Sequence, residues 1–447
     1  MSDGGHAEDM RRSCCGEYTR VASCAHAGHH CRVRILIVST AFPRYRDDPT
    51  AKWLVETIRR LAAEGYDFEV LTSAYRGGGN SDYAGIPLHR FRYFFARWEN
   101  LTHEESAPDR MQRSLLYKFM ALSYVACGTV AAWRLGRSGR FDIVHVHWPI
   151  PHAAFGWAAR AGSPTPVKLI AHFYSVELRW VRHSLRLLRG FLRRAITSAD
   201  RVVAISNSTA AEIRLVAPVA VDVIPYAVDL PVPSESAAAP PASESRPVSA
   251  LFVGRLAERK GIRYLIDAVA ALPARLDPHL VIIGDGPERA SLEAQTRTLG
   301  ATARVTFRGW VTPDELDAAY AQATVFVLPA VVDARGDTEG LGMVLLEAMT
   351  YRVPVISTGL GGIGDIVEHD RTGLIVPPND AVALASAIDL LATHPAVADR
   401  LAAAGREYAL DHFSWDAVLG QWRELYAGVL AGSAAPALTP AAEPTRR

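Results

Sequence analysis

The stretch DTEGLGMVLLEAM, residues 337–349, sets two glycines and two glutamates at the start of an apolar run of good helix formers. Gly340 and Gly342 leave the backbone bare at the point where the pattern predicts that a helix begins. The first amides of a helix have no partner within the helix, and they lie at the positive end of its dipole. The turn is therefore predicted to bind an anion such as a phosphate group.

The two glutamates of this stretch, Glu339 and Glu347, need partners of a different kind. An ionised carboxylate only accepts hydrogen bonds and would repel a phosphate, so hydroxyl groups are its natural partners. A ligand that carries both phosphates and diols is a sugar nucleotide, which is the ligand that the stretch predicts. The alternative is that both glutamates are solvated helix residues beside an ordinary glycine loop.

Two cations follow a strand pattern earlier in the chain. Residues 248–253 form an apolar run that ends at Gly254, and Arg255 and Lys260 come soon after it. In an open α/β sheet, residues at the carboxyl ends of strands face the crevice where ligands bind. The pair is therefore a candidate phosphate clamp, and the alternative is ordinary surface charge.

A series of short motifs in a fixed order connects these features. It comprises GRL at 254–256 with KG at 260–261, IGDGPE at 283–288, FRG at 307–309, the glutamate pair at 339 and 347, and GG at 361–362. In this order the motifs resemble the donor half of the family-4 retaining glycosyltransferases. The resemblance covers about residues 33–430 and implies an α/β fold with two Rossmann-like domains facing across a cleft, the GT-B architecture.

Chain length and strand pattern agree with two domains. A chain of 447 residues exceeds one ordinary core, and short apolar runs separated by helical patterns predict a parallel sheet in each half. The predicted organisation is a disordered extension at 1–31, an acceptor domain at 32–230, a linker at 231–247, a donor-nucleotide domain at 248–412, a helix at 413–430 that returns to the first domain, and a disordered tail at 431–447.

The resemblance implies roles for individual residues. The donor-binding residues would be Arg255, Lys260, Gly340, Leu341, Gly342, Met343 and Glu347, and the catalytic residues would be Glu339 and His172. The cations would hold the donor diphosphate and neutralise the departing nucleotide, while backbone amides complete the cradle. Glu347 would accept from the ribose diol and Glu339 from the transferred sugar. His172 would lie across the cleft near the reaction centre, with a structural histidine at a strand end as the alternative.

Several positions depart from the family pattern. The glycine pair expected after the first strand is replaced by FPRYRDDPT at 42–50, and His172 is followed by Phe. Tyr-Ala stands at 226–227 where Asn-Gly is usual, and Gly-Asp stands at 364–365 where Pro-Glu is usual. The last change keeps the acidic charge.

Composition restricts the partners and the compartment. A formal net charge of +1 argues against a nucleic-acid-binding surface. Four of the five cysteines lie within residues 1–31, but their spacing follows no paired metal-binding scheme. The same residues lack the apolar core of a signal peptide, so the sequence predicts a cytoplasmic protein with reduced thiols.

Two segments bear on membrane contact. Residues 115–135 come nearest to a membrane span, but Lys118 and Arg134 favour a buried helix of the first domain. Residues 179–194 interleave arginines with Trp, Phe and Leu, which predicts peripheral contact with an anionic membrane at the inner face of the cell. The alternative for this segment is a surface helix whose apolar face packs on the sheet.

The sequence thus predicts a retaining glycosyltransferase that moves a sugar from a nucleotide-diphosphate donor to a glycan, lipid-linked or small-molecule hydroxyl acceptor. Retention follows from the resemblance. No cofactor and no metal ion are expected, because the cation pair supplies countercharge and the chain has no Asp-x-Asp motif. The alternatives are a sugar-nucleotide epimerase of the same architecture and a non-catalytic sugar-nucleotide-binding protein.

Overall fold

Two parallel β-sheets organise the chain, one in each half of the sequence. The computed structural model describes residues 32–46, 48, 50–103, 107–183, 185–228, 247–334 and 336–432. The predicted extension at 1–31, nearly all of the predicted linker and most of the predicted tail lie outside these residues.

Eight strands form the first sheet. They are β1 (Arg34–Val38), β2 (Asp67–Ser73), β3 (Ser81–Tyr83), β4 (Ile86–Phe91), β5 (Ile143–His147), β6 (Lys168–Phe173), β7 (Arg201–Ala204) and β8 (Asp222–Val223). Their order across the sheet is β3-β4-β2-β1-β5-β6-β7-β8, and every pairing is parallel except that of β3 with β4. The central strands are buried on both faces, which explains their continuous apolar runs.

Helices cover both faces of this sheet. They are α1 (Lys52–Ala63), α2 (Ala107–Arg113), α3 (Leu115–Gly136), α4 (Pro149–Gly162), α5 (Val176–His183), α6 (Arg189–Thr197) and α7 (Asn207–Val216). On α1, Leu54, Ile58 and Leu61 share one helix face and are buried in the core of the first sheet.

The second sheet has six parallel strands. They are β9 (Ser249–Val253), β10 (His279–Ile283), β11 (Val305–Gly309), β12 (Val325–Leu328), β13 (Val355–Ser357) and β14 (Leu374–Ile375), in the order β11-β10-β9-β12-β13-β14. Its helices are α8 (Ile262–Ala271), α9 (Arg289–Thr298), α10 (Pro313–Gln322), α11 (Met343–Thr350), α12 (Ala381–Thr393) and α13 (Pro395–Phe413). The strand order reverses between β9 and β12, and ligands bind at the carboxyl ends of strands at such a switch point.

The last helix, α14 (Trp415–Leu430), returns to the first sheet. Its Trp422 and Tyr426 belong to the same core as Ile35 and Ile58, whereas Phe413, just before it, belongs to the core of the second sheet. Ser414 begins the helix by accepting a hydrogen bond from the amide of Ala417. The predicted α/β fold with two Rossmann-like domains is confirmed.

The helix α3 is not the buried helix that the sequence predicts. Its buried residues recur every four positions, at Met120, Tyr124, Gly128, Ala132 and Gly136. This narrow stripe packs on α4: a Cβ at Gly128 would lie 2.2 Å from the Phe155 ring, and one at Gly136 would lie 2.0 Å from the carbonyl oxygen of Ala159.

The remainder of α3 is largely uncovered. Among the described residues it is the only unbroken helix that is long and apolar enough to cross a membrane. Only 22% of its most apolar window is buried inside the protein. The prediction failed because apolar composition does not by itself show what covers a helix.

Candidate active site

The switch point of the second sheet gathers the predicted donor residues. The loop after β9 carries Arg255 and Lys260, while the loop after β12 carries Glu339 and leads into α11. The two loops touch at Gly261, which has a φ of 66° and where a Cβ would lie 1.9 Å from the carbonyl oxygen of Pro329. A side chain at 261 would separate the loops, so glycine brings the two parts of the site together.

The turn before α11 keeps its amides free of side-chain caps. Gly342 precedes the helix with a φ of 89°, and no side chain within the described residues caps it. On the other side, a Cβ at Gly361 would lie 1.9 Å from the carbonyl oxygen of Glu339, and one at Gly362 would lie 2.1 Å from that of Gly340. The glycine pair therefore fixes the path of the turn, leaving a helix N-terminus of the kind that binds phosphate.

Lys260 and Glu339 form an ion pair between the two loops. Their side chains are 10% and 13% exposed, so the pair is shielded from water and the charges act strongly on each other. The sequence predicted that the lysine holds the diphosphate and that the glutamate holds the sugar. The structure brings the two groups together, so each also fixes the position of the other.

Arg255 is exposed, and among the described residues no hydrogen bond or ion pair holds its guanidinium. Its position depends on a close contact between neighbouring loops. A Cβ at Gly284 would lie 2.1 Å from the carbonyl oxygen of Gly254, and one at Gly286 would lie 2.3 Å from that of Leu256. The GRL and IGDGPE motifs thus keep the loops after β9 and β10 in contact and leave Arg255 just beyond the carboxyl end of β9.

Glu347 lies in the second turn of α11, half-buried and apart from the Lys260 pair. The hydroxyl of Tyr320 donates a hydrogen bond to its Oε2 at 2.8 Å. Burial raises the pKa of the Glu347 carboxyl, and this hydrogen bond opposes the rise. Tyr320 on α10 was not predicted, since in the sequence it is one aromatic residue on the apolar side of a helix.

His172 lies on β6 and belongs to a cluster of buried histidines. The strand register sets it beside His147 of β5, and His145 shares the same face two positions earlier. The hydroxyl of Tyr174 lies 3.0 Å from Nδ1 of His172 and 2.5 Å from Nδ1 of His147. The hydroxyl of Tyr426, on α14, lies 3.0 Å from Nδ1 of His145.

Burial keeps these histidines neutral. It lowers the pKa of His145 to about 3 and lowers the pKa values of His147 and His172 well below the ordinary value. Tyr174 has one proton to donate, so at least one of the two rings that share it carries its own proton on Nδ1. The Nε2 atoms of all three rings are buried without a hydrogen-bond partner among the described residues. His172 is therefore a neutral hydrogen-bonding group.

The cluster also contains the donor set of a metal site that the sequence did not predict. One nitrogen of each ring lies within 4.8 Å of one nitrogen of each of the others. Three imidazoles can ligate zinc at about 2.0–2.1 Å, which sets the nitrogens roughly 3.4 Å apart at tetrahedral angles. The three strand positions come from the first sheet, whereas the loops that carry Arg255, Lys260 and Glu339 belong to the second.

Glu177 is a further buried group that the sequence did not predict. It is buried in the first turn of α5, and its Oε1 accepts a hydrogen bond from the amide of Tyr174 at 2.8 Å. Burial raises the pKa of its carboxyl to about 7. A carboxylate that accepts from the amide just before a helix follows a known capping pattern, and that is the signal that could have identified it.

Two polar contacts join the domains beside this site. Arg179 on α5 forms an ion pair with Asp337 at 2.6 Å, two residues before Glu339. The Asp365 carboxylate accepts a hydrogen bond from the amide of Asn207 at 2.6 Å, at the start of α7. Asp365, which stands where the family usually has Glu, thus places its acidic charge at the start of a helix of the opposite domain.

One apolar face of the segment around residues 179–194 packs on the first domain. Leu178 and Val181 of α5 and Leu192 and Ile196 of α6 are buried in one apolar cluster with β6 and β7. Arg179 is bound to the second domain, as described above. These contacts favour the packed-helix alternative over the membrane interpretation of this segment.

Comparison with known proteins gives the family. The model of "Glycosyltransferase Family 4" matches residues 50–231, and that of "Glycosyl transferases group 1" matches residues 235–408. The chain therefore belongs to the family-4 glycosyltransferases with the GT-B architecture, which confirms the resemblance.

Relatives and solved structures agree with this assignment. The chain is 32% identical over 313 residues, 67% of its length and 80% of the relative's, to a GDP-mannose-dependent alpha-(1-6)-phosphatidylinositol monomannoside mannosyltransferase of Mycolicibacterium smegmatis. It is 36% identical to the protein of the same name from Mycobacterium tuberculosis over 39% of this chain, and it spans 46% of that relative. Sucrose-phosphate synthase from Thermosynechococcus elongatus has the same fold, with a TM-score of 0.68, 22% identity, and coverage of 90% of this chain and 100% of that one.

Proposed function

We propose that the protein is a retaining, metal-independent glycosyltransferase that moves a sugar from a nucleotide-diphosphate donor to a hydroxyl of a glycan, lipid-linked or small-molecule acceptor. The observation that carries the proposal is the meeting of Lys260, Glu339 and the uncapped N-terminus of α11 at the switch point of the second sheet. Groups suited to phosphate and groups suited to hydroxyls lie side by side there, which supports a sugar nucleotide as the donor.

The leaving group sets the first demand on the site. When the glycosidic bond breaks, its electron pair goes to the diphosphate oxygen, and negative charge develops there. Lys260, Arg255 and the amides before α11 would stabilise that charge. Because Lys260 is already desolvated against Glu339, it would meet the diphosphate without first losing a shell of water.

Glu339 and His172 would act on the sugar. Glu339 would accept from sugar hydroxyls, and its negative charge would favour the positive charge that develops at the ring. His172 would hydrogen-bond the sugar or the acceptor. It would do so as a neutral ring, because burial disfavours its charged form. Glu347, oriented by Tyr320, would accept from the ribose diol.

The relatives support the proposed donor and acceptor classes. Two of them are named for GDP-mannose as donor and for a phosphatidylinositol mannoside as acceptor, which supports a nucleotide-sugar donor and a lipid-linked acceptor for this chain. A cytoplasmic location at the inner face of the membrane is part of the proposal, and cell fractionation tests it.

The test is a panel of sugar nucleotides, GDP-mannose first, scored for nucleotide release with and without acceptor lipids and glycans. Release that depends on acceptor, with a product of the donor's anomeric configuration by NMR, supports the proposal. Conversion of the sugar without acceptor would indicate an epimerase. Tight binding without turnover of any donor would indicate a binding protein.

Metal independence needs its own measurement because of the histidine cluster. We expect excess EDTA to leave activity intact, since two cations supply the countercharge at the diphosphate. Elemental analysis of the same sample separates an ion held by the three histidines from one at the donor. Loss of activity that magnesium or manganese restores would contradict the proposal.

A further inference from the structure

An apolar stripe runs along the side of α3 opposite its buried stripe. Its side chains are exposed and recur every three or four residues, so they share one helix face. They are Leu115, Phe119, Leu122, Ala126, Val130 and Trp133. Leu115, Phe119 and Leu122 are 79%, 61% and 70% exposed. We call this stripe the outer face of α3.

An aromatic segment widens the outer face at its N-terminal half. Phe95 is 70% exposed, and Trp98 ends the short 3₁₀ turn Ala96–Trp98. Phe94 stacks on Trp98 with ring centroids 5.7 Å apart and meets the edge of Phe119 at 6.3 Å. The two elements therefore present one continuous apolar surface, and contiguous exposed apolar surfaces mark sites of interaction.

The charges around this surface are mostly basic. Between residues 92 and 140 the chain has eight Lys and Arg against four Asp and Glu, and α3 itself contains Lys118 and Arg134 but no acidic residue. Two arginines cover the rim aromatics: the Arg97 guanidinium lies 4.8 Å from the Trp98 ring, and that of Arg137 lies 4.9 Å from the Trp133 ring. An apolar strip with Trp and Arg at its margins matches the border between acyl chains and head groups.

A groove beside the C-terminal half of the outer face adds a place for an anion. It has a volume of about 630 Å³ and includes Ala126 and Val130 of the face itself. Its basic lining residues are Arg90, Arg134, Arg92, which is paired with Glu99, and His89, which is paired with Glu69. Arg90 and Arg134 therefore supply the positive charge that an anion would meet. A phosphate head group could enter the groove while the neighbouring apolar side chains enter the acyl layer.

We propose that the outer face of α3, with Phe95 and Trp98, docks the protein on an anionic lipid bilayer. The helix lies in the plane of the membrane and does not cross it, because its other side is bound to α4 at Gly128 and Gly136. The proposal goes beyond sugar transfer, and it moves the predicted membrane contact from residues 179–194 to a different element. It rests on surface chemistry and does not depend on the donor.

The experiment is co-sedimentation of the full chain with phosphatidylcholine vesicles, with and without phosphatidylglycerol. The wild type is expected to pellet with the anionic vesicles and to be released by salt. The double variant Phe119→Gln/Leu122→Gln should bind roughly tenfold more weakly or worse, because two large apolar side chains lose their place in the bilayer. Arg134→Gln should weaken binding and reduce its salt dependence.

Matched controls use equally exposed residues elsewhere. Leu215→Gln, at a site 77% exposed on α7, and Leu187→Gln, fully exposed within residues 179–194, should bind as the wild type does. Melting curves check that each variant folds, and donor turnover with a soluble acceptor should be unchanged in all of them. A failure of docking with intact turnover therefore leaves the proposed function standing.

Three results would overturn the proposal. One is a wild type that ignores anionic vesicles at low salt, and another is an α3 double variant that binds as well as the wild type. The third is a concentration-dependent dimer, seen by analytical ultracentrifugation without lipid, that the α3 substitutions convert to monomer, since a second copy would then cover the face.

Discussion

At the scale of single residues, the two glutamates of the opening stretch have different environments. Glu339 is paired with a buried lysine, whereas Glu347 is held by the Tyr320 hydroxyl one helix away. Their spacing in sequence therefore places one glutamate on the loop and the other on the helix, each with a different partner. Substituting each glutamate by glutamine, which removes the charge and keeps the size, should reveal the role of each one.

We predict that Glu339→Gln lowers kcat by about two decades, whereas Glu347→Gln mainly raises KM for the donor. A charge-assisted hydrogen bond contributes roughly 1.5–3 kcal/mol, and a sugar contact that strengthens in the transition state appears in kcat. Steady-state kinetics at several donor concentrations provide the measurement. Wild-type kcat in Glu339→Gln would remove this glutamate from the reaction centre.

The Lys260 pair leads to a prediction about coupling. Lys260→Ala should lower kcat/KM by about one to two decades, the loss of one charge-assisted bond. Combined with Glu339→Gln, the losses should fall well short of additive, because each change already disrupts the other's position. Arg255→Ala is the matched control, because it removes a cation of the same site that forms no pair with Glu339. Its decrease in kcat/KM should add to that of Glu339→Gln. Full additivity in the Lys260 cycle would contradict a functional pair.

At the scale of elements, glycines set how closely the loops of the donor domain approach. Gly361 and Gly364 lie in the same short 3₁₀ segment, Gly361–Asp365, but have different surroundings. A Cβ at Gly361 would meet the Glu339 carbonyl oxygen, whereas one at Gly364 would meet nothing within 4 Å. This loop therefore offers a probe and its control three residues apart.

We predict that Gly361→Ala reduces kcat at least roughly tenfold and lowers stability by about 1–3 kcal/mol. The new methyl group must push the turn that carries Glu339, and alanine is strained at a φ of 61°. Gly364→Ala should change either quantity little. Turnover and thermal melting of the two variants check this, and equal effects would mean that the turn tolerates displacement.

These elements also mark how far the sequence could be interpreted. The ordered glycine motifs predicted the fold and the family, because several of their glycines, such as Gly284, Gly286 and Gly361, are required where two backbones approach closely. Tyr320, Glu177 and the outer face of α3 were missed or misjudged. Their character depends on which distant segments cover them, and periodicity within one helix does not contain that information. The roles of the donor residues stay predictions until the variants above are measured.

At the scale of the whole molecule, buried ionisable groups connect stability to pH. Burial lowers the pKa of His145 to about 3 and that of His152 to about 4, and it lowers those of His147 and His172 as well. The unfolded chain takes up these protons near pH 6.5, so stability falls as the pH drops below that value. Glu177 acts in the opposite direction. Its carboxyl has a pKa of about 7 in the folded protein, so its contribution to the stability of the protein is lost as the pH rises from about 4.5 to 7.

We predict that the histidines dominate and that the protein is less stable at pH 5.5 than at pH 7. Each neutral buried histidine lowers the stability of the protein by about 1 kcal/mol per pH unit below 6.5. We expect the four histidines together to outweigh the carboxyls whose pKa burial raises, which are Glu177, Glu212, Glu347 and Asp365. Melting temperatures across this range give the measurement. Glu177→Gln should make the decline steeper and His152→Gln should make it shallower, and a melting temperature that rises on acidification would contradict the assignment.

The return of α14 to the first sheet has a consequence for biosynthesis. Trp422 and Tyr426 complete a core whose other members include Ile35 and Ile58, and Arg423 binds Glu64 across 359 residues of sequence. All strands of the second domain are therefore synthesised before the helix that completes the core of the first domain. The half that is made first therefore cannot complete its core until the second half has been made, and until then the apolar surface that α14 covers stays exposed.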